Sequence, residues 1–443
     1  MVAAKTREIG ALRGMDKKHA WPHPFFWGAS TSSHQIEGNN RANDWWAWEQ
    51  AGKLKEPSGL ACDHFHRFRE DFNILSRLGH NAYRFSIEWS RLEPEEGKWD
   101  QDGFDFYEKI FEELERRGIE PVVTLHHFTN PEWFTQKSGW LHPDAVFYFT
   151  RYVNRVIERF GRHVRFWITI NEPLVYLYHG FYAGLWPPGL KSFASSMRVF
   201  RHLVTAHTKA YSAIHHYYKS QLRKEVWVSL AMHLSYFTPC RPHSFLDRWA
   251  VWLRHWFANE VFLKAVTSGF LFFPGIFCEF LHTKNCLDFI GVNYYTRDFV
   301  KFSSLGGIDF IGSVCEKDHH KEQVKEKNMM GWEVHADGLY GVLRDLRKYH
   351  LPVMITENGI ATLEDSQRSR FIKDHLNAVR RARQEGVPVE GYFYWSLLDN
   401  FEWAHGFEPR FGIVHVDYQT QERIVRESAQ VLSDMCRKIE SKK

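Results

Sequence analysis

The sequence predicts a single (β/α)8 TIM barrel with long βα loops around one site. Three observations carry that prediction. Eight short β-rich runs recur along the 443 residues, with helical stretches between them. The runs are apolar on both faces, as strands of a covered parallel sheet are. No Gly-rich phosphate turn follows the first run, where an open doubly wound sheet would normally carry one. Eight βα units are the count that closes a barrel, and such a barrel takes about 250 residues or more. Length alone would allow two to four domains at about 100–200 residues each.

The runs, in order, are Phe25–Ser30, Ala82–Ile87, Pro121–His126, Arg165–Ile170, Val226–Ala231, Asp288–Asn293, Val353–Thr356 and Gly391–Trp395. Between the second and third, Phe104, Tyr107, Ile110, Phe111 and Leu114 repeat at helical spacing, which predicts a helix over Phe104–Arg117. Asp102 is placed to cap its start and Gly118 its end. Leu339–Tyr349 and Phe371–Gln384 read in the same way. Residues 21–440 are read as one catalytic barrel. Residues 1–20, charged and without an apolar core segment, are read as an extension with no fold role, disordered or appended, and as no secretory signal.

Composition narrows the class. Fifty-seven basic residues against 53 acidic ones leave a nearly neutral surface, so clustered charge for a nucleic acid is not indicated. Cys62, Cys240, Cys278, Cys286, Cys315 and Cys436 include no Cys-x-x-Cys pair. They fit free thiols in a reducing, cytoplasmic setting. No apolar run reaches the roughly 20 residues a bilayer requires. The nearest, Gly269–Leu281, is broken by Pro274 and Gly275, and reads as buried or as a loop near the site mouth rather than as a membrane contact. Aromatic residues make up 16% of the chain, which suits either a Phe-rich core or a surface for flat sugar faces.

In a barrel the chemistry lies at the C-terminal strand ends. The fourth run leads into Thr169-Ile-Asn-Glu-Pro173 and the seventh into Ile355-Thr-Glu-Asn-Gly359. In each, a Glu follows the apolar strand and a breaker follows it at once or two residues on. One such Glu would more simply cap a helix or pair with a cation. Two at matched ends point to glycoside hydrolysis, in which one carboxyl protonates the leaving oxygen while the other attacks the anomeric carbon or activates water. The remaining ends offer Gln35, Glu37 and Gly38, then Arg84, His126-His127, Asn293-Tyr-Tyr295, Trp395, Asn400, Glu402 and Trp403. Amides, carboxylates, a histidine and indoles together suit hydroxyl recognition.

In this set of motifs the chain resembles glycoside hydrolase family 1, the β-glucosidase family. The resemblance runs from about Phe25 to Tyr418. It rests on the segment from Phe26 to Gly38, Tyr83-Arg-Phe-Ser-Ile87, Thr169–Pro173, Asn293–Tyr295, Ile355–Gly359 and Trp395-Ser-Leu-Leu-Asp-Asn-Phe-Glu-Trp403. It implies a retaining β-glycosidase acting on terminal non-reducing β-D-glycosyl residues, with Glu172 as acid/base and Glu357 as nucleophile. The two carboxyls are then expected about 5–5.5 Å apart. Arg84 and Tyr295 would flank the nucleophile, and Asn171 would hold the sugar 2-hydroxyl. Gln35, His127, Asn293, Glu402 and Trp403 would grip the glycone, with Trp395 stacked under it and Phe411 closing the wall. Phe128 stands where the family carries Trp, so an indole donor is missing. Glu402-Trp403-Ala404 disfavours a phosphorylated sugar, and retention of Glu172 favours an O-glycosidase over a thioglucosidase.

The implied substrates are β-glucosides and short β-linked oligosaccharides, with galactosyl, fucosyl and transglycosylation chemistry as extensions. No cofactor and no metal are implied, and a homo-oligomer is compatible with the sequence. A silent sugar-binding barrel is the first rival, weakened because both carboxyls are present. A metal-dependent hydrolase is the second, prompted by 26 histidines. Its nearest clusters are His64-Phe-His66 and His126-His127, and neighbours on a strand face opposite ways.

Overall fold

The computed structural model describes residues 21, 24–274, 277–281, 284–303 and 312–440. Eight parallel strands close into a barrel: β1 Phe26–Ser30, β2 Ala82–Ser86, β3 Glu120–Thr124, β4 Phe166–Asn171, β5 Trp227–His233, β6 Ile290–Tyr294, β7 Val353–Asn358 and β8 Val389–Trp395. Each pairs with the next, and β8 returns to β1 with Ser30 level with Trp395. All eight overlap the predicted runs. No boundary moves by more than two residues; β6, for example, begins two residues later than expected and ends one later.

Helices fill most of the connections. The helix Gln101–Arg116 starts three residues before its first apolar position, and its cap is Asp100 rather than Asp102. The Asp100 carboxylate accepts from the backbone N–H of Asp102 (2.9 Å) and Gly103 (3.4 Å), so the cap sits where the chain is still extended. Gly118 ends this helix with φ +65°. The helix Asp365–Gln384 begins six residues before the expected start. Its first turns are buried through a polar residue: the Arg368 guanidinium donates to the carbonyls of Thr362 and Arg410 and to Asp365. Apolar spacing cannot register such a turn. Leu339–Tyr349 resolves into an α-helix, Ala336–Asp345, tightened into a 3₁₀ turn, Leu346–Tyr349.

The barrel floor is aromatic. Phe26, Phe166, Trp227, Phe289 and Phe393 meet Ala82, Val122, Ile168, Ala231 and Met354 in one buried cluster. Trp21 plugs it, edge-on to Phe26, Trp227 and Phe289. A packed floor of this kind leaves only the opposite end open to a ligand. The larger apolar cluster lies between strands and helices.

Two additions build up the open end. Tyr236–Pro239 and Arg297–Lys301 continue just beyond β5 and β6, pair in parallel and, with Ser313–Cys315, form a three-stranded wall. This wall brings Cys240 and Cys315 within 3.2 Å despite their distance in sequence. Gly269–Leu281 is an antiparallel hairpin of Phe270–Phe273 and Phe277–Phe280. Leu271 and Phe273 are buried and Phe280 is 75% exposed, so the segment is half-buried sheet, not loop. Among the described residues no helix is long and apolar enough to cross a membrane. The 1–20 extension lies outside the described residues.

Candidate active site

The two strand-end glutamates are placed by local irregularities in otherwise regular strands. Pairing of β4 with β5 shifts register between Ile168 and Asn171, and pairing of β7 with β6 shifts between Ile355 and Glu357. Such bulges bend a strand and re-aim the side chain that follows. Beyond the first, Glu172 has φ +43° and ψ +58°, left-handed for a residue with a Cβ. Its N–H donates to the Ala231 carbonyl (2.8 Å), and its carbonyl accepts from Tyr176 N–H (3.1 Å) to open the helix Pro173–Leu177. Phe128 and Trp403 share the left-handed conformation. Strain of about 1–3 kcal/mol at such a residue persists only where the surroundings impose it, typically at functional sites. Gly359 follows from the same geometry, because a Cβ there would stand 1.7 Å from the Trp395 carbonyl oxygen.

One hydrogen-bonded network joins the two carboxyls. The fully buried Arg84 guanidinium donates to Glu357 Oε1 and, at 2.7 Å, to Asn171 Oδ1. Tyr295 Oη donates to Glu357 Oε2 at 2.7 Å. Asn293 Nδ2 donates to Glu172 Oε1 (2.8 Å) and Asn171 Oδ1 (3.1 Å), while its oxygen accepts from Thr356 Oγ1 (2.6 Å). His233 Nδ1 stands 3.4 Å from Glu172 Oε1. Five strands, β2, β4, β5, β6 and β7, thus supply one continuous network.

The charges follow from burial and these partners. Burial pushes Glu357 up to about 7, with Arg84 opposing and the Glu172 charge adding to the rise. Burial also resists ionisation of Glu172, but the hydrogen bonds and charge of His233, with Asn293, outweigh it and hold Glu172 below its usual range. Glu172 in turn raises His233 against the effect of burial. The carboxyls titrate together, so the two steps belong to the pair, and between them the pair shares a single proton. Glu402 is pushed up to about 8 by burial and by the charges of Glu357 and Glu172.

Around the carboxyls lies a pocket of about 420 Å³. Of the residues singled out in the sequence, His127, Phe128, Asn171, Glu172, Tyr295, Glu357, Trp395, Glu402, Trp403 and Phe411 line it. Arg84, Asn293 and Gln35 stand behind the wall, fully buried. Gln35 Nε2 donates to Glu402 (3.2 Å), Asn400 (3.0 Å) and the Phe401 carbonyl (2.8 Å), which holds Glu402 in place. His127 stacks between Trp395 (5.9 Å) and Trp403 (6.1 Å). Its neighbour His126 points the other way, to Asn130, Trp140 and Tyr176. Phe128 meets Trp403 edge-on and Trp186 at 5.0 Å. Glu37 is occupied by Arg91 and Tyr107.

His64 and His66 pair with Asp71 and Asp63. Cys240, Cys315 and His320 offer ligand-type atoms within 4.8 Å of one another, and none of them lines the pocket. Sequence reading missed His233, His179, Trp186, Met330, Trp332 and His405, all in the pocket wall. A signal existed for His233, because alternation through Ser229 and Ala231 carries one more step along β5.

A closed barrel with two networked carboxyls at its mouth and indoles around them defines a glycoside hydrolase of the paired-carboxylate kind. Residues 17–441 match glycosyl hydrolase family 1, and the chain belongs to that family of retaining β-glycosidases. β-Glucosidase A of Thermotoga maritima is 35% identical over 92% of this chain and 96% of its own. A solved β-glycosidase from Pyrococcus horikoshii is 41% identical with a TM-score of 0.87, covering 94% of this chain and 95% of that one. The T. maritima β-glucosidase solved with glucoimidazole gives a TM-score of 0.84 at 35% identity, covering 94% and 98%.

Proposed function

We propose that Glu357 is the nucleophile and Glu172 the acid/base of a β-glucosidase that also accepts β-galactosyl and β-fucosyl glycones. One observation carries the assignment of roles: Arg84 and Tyr295 both donate to Glu357, whereas Glu172 is held by a neutral amide and by an imidazole that can give up its proton. Arginine stays charged at all working pH values, whereas the hold of His233 on Glu172 ends once the imidazole gives up its proton, so the ionised member of a singly protonated pair is then Glu357. Its Oε attacks C1 as the C1–O bond to the aglycone breaks, and the proton of Glu172 passes to the departing oxygen. Water, deprotonated by Glu172, then attacks C1 and frees Glu357. An alcohol in place of water gives transglycosylation by the same step.

Asn171 sits beside the acid and within reach of Arg84, where a bond to the sugar 2-hydroxyl can tighten as charge develops at C1. His127, Gln35, Asn293, Glu402 and Trp403 bind the glycone, and Trp395 stacks under it, a reading supported by the bonds of Gln35 to Glu402 and of Asn293 to Glu172. Fucose lacks one hydroxyl that glucose offers, so a glycone panel ranks these contacts. The absence of a disulfide among the described residues supports a reducing, cytoplasmic setting.

The test is hydrolysis of chromogenic β-glycosides by the native protein and by Glu357→Gly. The variant should lose about 10⁴-fold or more in kcat, the scale of removing a covalent nucleophile. Full activity in Glu357→Gly would overturn the assignment.

A further inference from the structure

The three-stranded wall beside the barrel mouth holds a cluster that the catalytic roles do not use. Cys240 follows the strand Tyr236–Pro239, and Cys315 ends the strand Ser313–Cys315. Their sulfurs stand 3.2 Å apart. His320 closes the 3₁₀ turn Lys317–His320 that comes next. One of its ring nitrogens lies within 4.8 Å of both sulfurs. Among the described residues, no other three histidine, cysteine or carboxylate ligand atoms converge so closely.

Each member is fixed by contacts of its own. Cys240 N–H donates to the Val300 carbonyl (2.8 Å), and Cys315 pairs with Phe299 across the antiparallel ladder. Phe299 also carries His320, stacked on it at 3.8 Å with the planes 5° apart. Two strand ends and a turn thus present their donor atoms to one point.

Two observations point to a bound ion rather than to packing. His320 is only 6% exposed, yet its Nε2 is buried without a hydrogen-bond partner among the described residues. Such an atom calls for a partner that the protein groups around it do not supply. Burial, with the charges of His319, Arg297 and Lys317, holds this imidazole below its ordinary range, so it is neutral and offers a lone pair. The sulfur separation is the second observation. A disulfide closes to about 2.05 Å. Two thiolates on one tetrahedral zinc, each about 2.3 Å from it, stand about 3.8 Å apart. The separation of Cys240 and Cys315 is nearer to the latter, and a disulfide would still leave His320 Nε2 without a partner.

Softness selects the ion. Two thiolates and an imidazole suit zinc, whereas magnesium and calcium take oxygen ligands. His319 is exposed, with Nδ1 3.3 Å from Cys315 Sγ, where rotation of its side chain brings it to the fourth position.

We propose that Cys240, Cys315 and His320, completed by His319, bind one structural zinc ion that clamps the wall of the barrel mouth. Each thiol gives its proton to solvent as its sulfur takes the metal. The clamp joins two strand ends to the turn, whose Lys317 pairs at 3.1 Å with Asp298 of the pocket lining. None of the four ligands lines the pocket, so the ion holds the wall and takes no part in hydrolysis.

The experiment uses the full chain without a histidine tag, reduced, stripped with a chelator and titrated with zinc chloride. The native protein should take up one zinc per chain with a Kd of about 10⁻⁸ M or tighter. Cobalt chloride in its place should give the thiolate charge-transfer band and strong visible absorption of a tetrahedral site. Cys240→Ser, Cys315→Ser, His320→Asn and His319→Ala should each weaken zinc binding about a hundredfold or more. Cys278→Ser, at an exposed thiol outside the cluster, should bind as the native protein does. One equivalent of zinc should raise the native melting midpoint by about 3 °C or more and leave kcat/KM for a chromogenic β-glucoside unchanged. Binding weaker than about 10⁻⁶ M by the reduced native protein would overturn the site. Undiminished binding in a folded variant of any ligand would do the same, and His319→Ala, at an exposed position, carries that test should the buried variants not fold. A Cys240–Cys315 disulfide whose reduction yields no zinc uptake would equally overturn it.

Discussion

Arg84 stands at the centre of the hydrogen-bonded network around the carboxyls. It is buried, it cannot lose its charge, and it touches Glu357 and Asn171 at once. Its place on β2, opposite in facing to Tyr83 and Phe85, was readable from strand alternation. Glu172 and Glu357 were readable because each follows its own strand directly. What alternation could not show was the partner of Glu172. His233 lies on β5, and it meets Glu172 only once the barrel closes.

The charges of this group give a pH profile. Above about pH 7 the pair loses its last proton, and no acid remains for the leaving group. Below its lower step, which lies under the usual carboxylate range, both carboxyls are protonated and no nucleophile remains. The expected kcat/KM profile is a bell with its alkaline limb near 7 and its acid limb at distinctly low pH. A flat profile up to pH 9 would contradict the shared proton. Tyr295→Phe removes a donor that holds Glu357 down, so the alkaline limb should move to higher pH. A hydrogen bond to a charged group is worth about 1.5–3 kcal/mol, so kcat/KM should fall about ten- to a hundredfold.

The elements that carry the carboxyls are strands with a defect at the end. β4 and β7 each shift register just before Glu172 or Glu357, and the chain then turns away at Pro173 or Gly359. Sequence placed both strands, because their apolar runs and breakers are local signals. It placed helix starts less well, because Asp100 and Arg368 act through polar contacts that apolar spacing does not register. Gly359 is the sharpest local requirement. A methyl group there would collide with the Trp395 carbonyl, on the neighbouring strand β8. Gly359→Ala should therefore lower stability by about 1–3 kcal/mol or more, read as an earlier midpoint in denaturant. An unchanged midpoint would mean that β7 and β8 can separate at no cost.

At the scale of the whole molecule, the aromatic content divides by depth. Phe26, Phe166, Trp227, Phe289 and Phe393 close the barrel floor with Trp21. Trp395, Trp403, Phe128 and Phe411 face the pocket, and Phe193, Phe200, Phe257 and Phe273 line an apolar cavity behind it. Composition could not separate these uses. The family resemblance separated the pocket group, because Trp395 ends β8 and Phe128 and Trp403 belong to the segments that follow β3 and β8. The cavity group stayed illegible, because it is assembled from a long helix, two π turns and a hairpin that have no common signal along the chain.

The mechanism turns on which carboxyl forms the bond to sugar. A 2-deoxy-2-fluoro-β-glucosyl fluoride slows release of the glycosyl-enzyme more than its formation, so the intermediate accumulates and peptide mass spectrometry can locate it. A single fluoroglucosyl adduct is expected on the peptide containing Glu357. An adduct on the peptide containing Glu172, or turnover through no adduct at all, would contradict it.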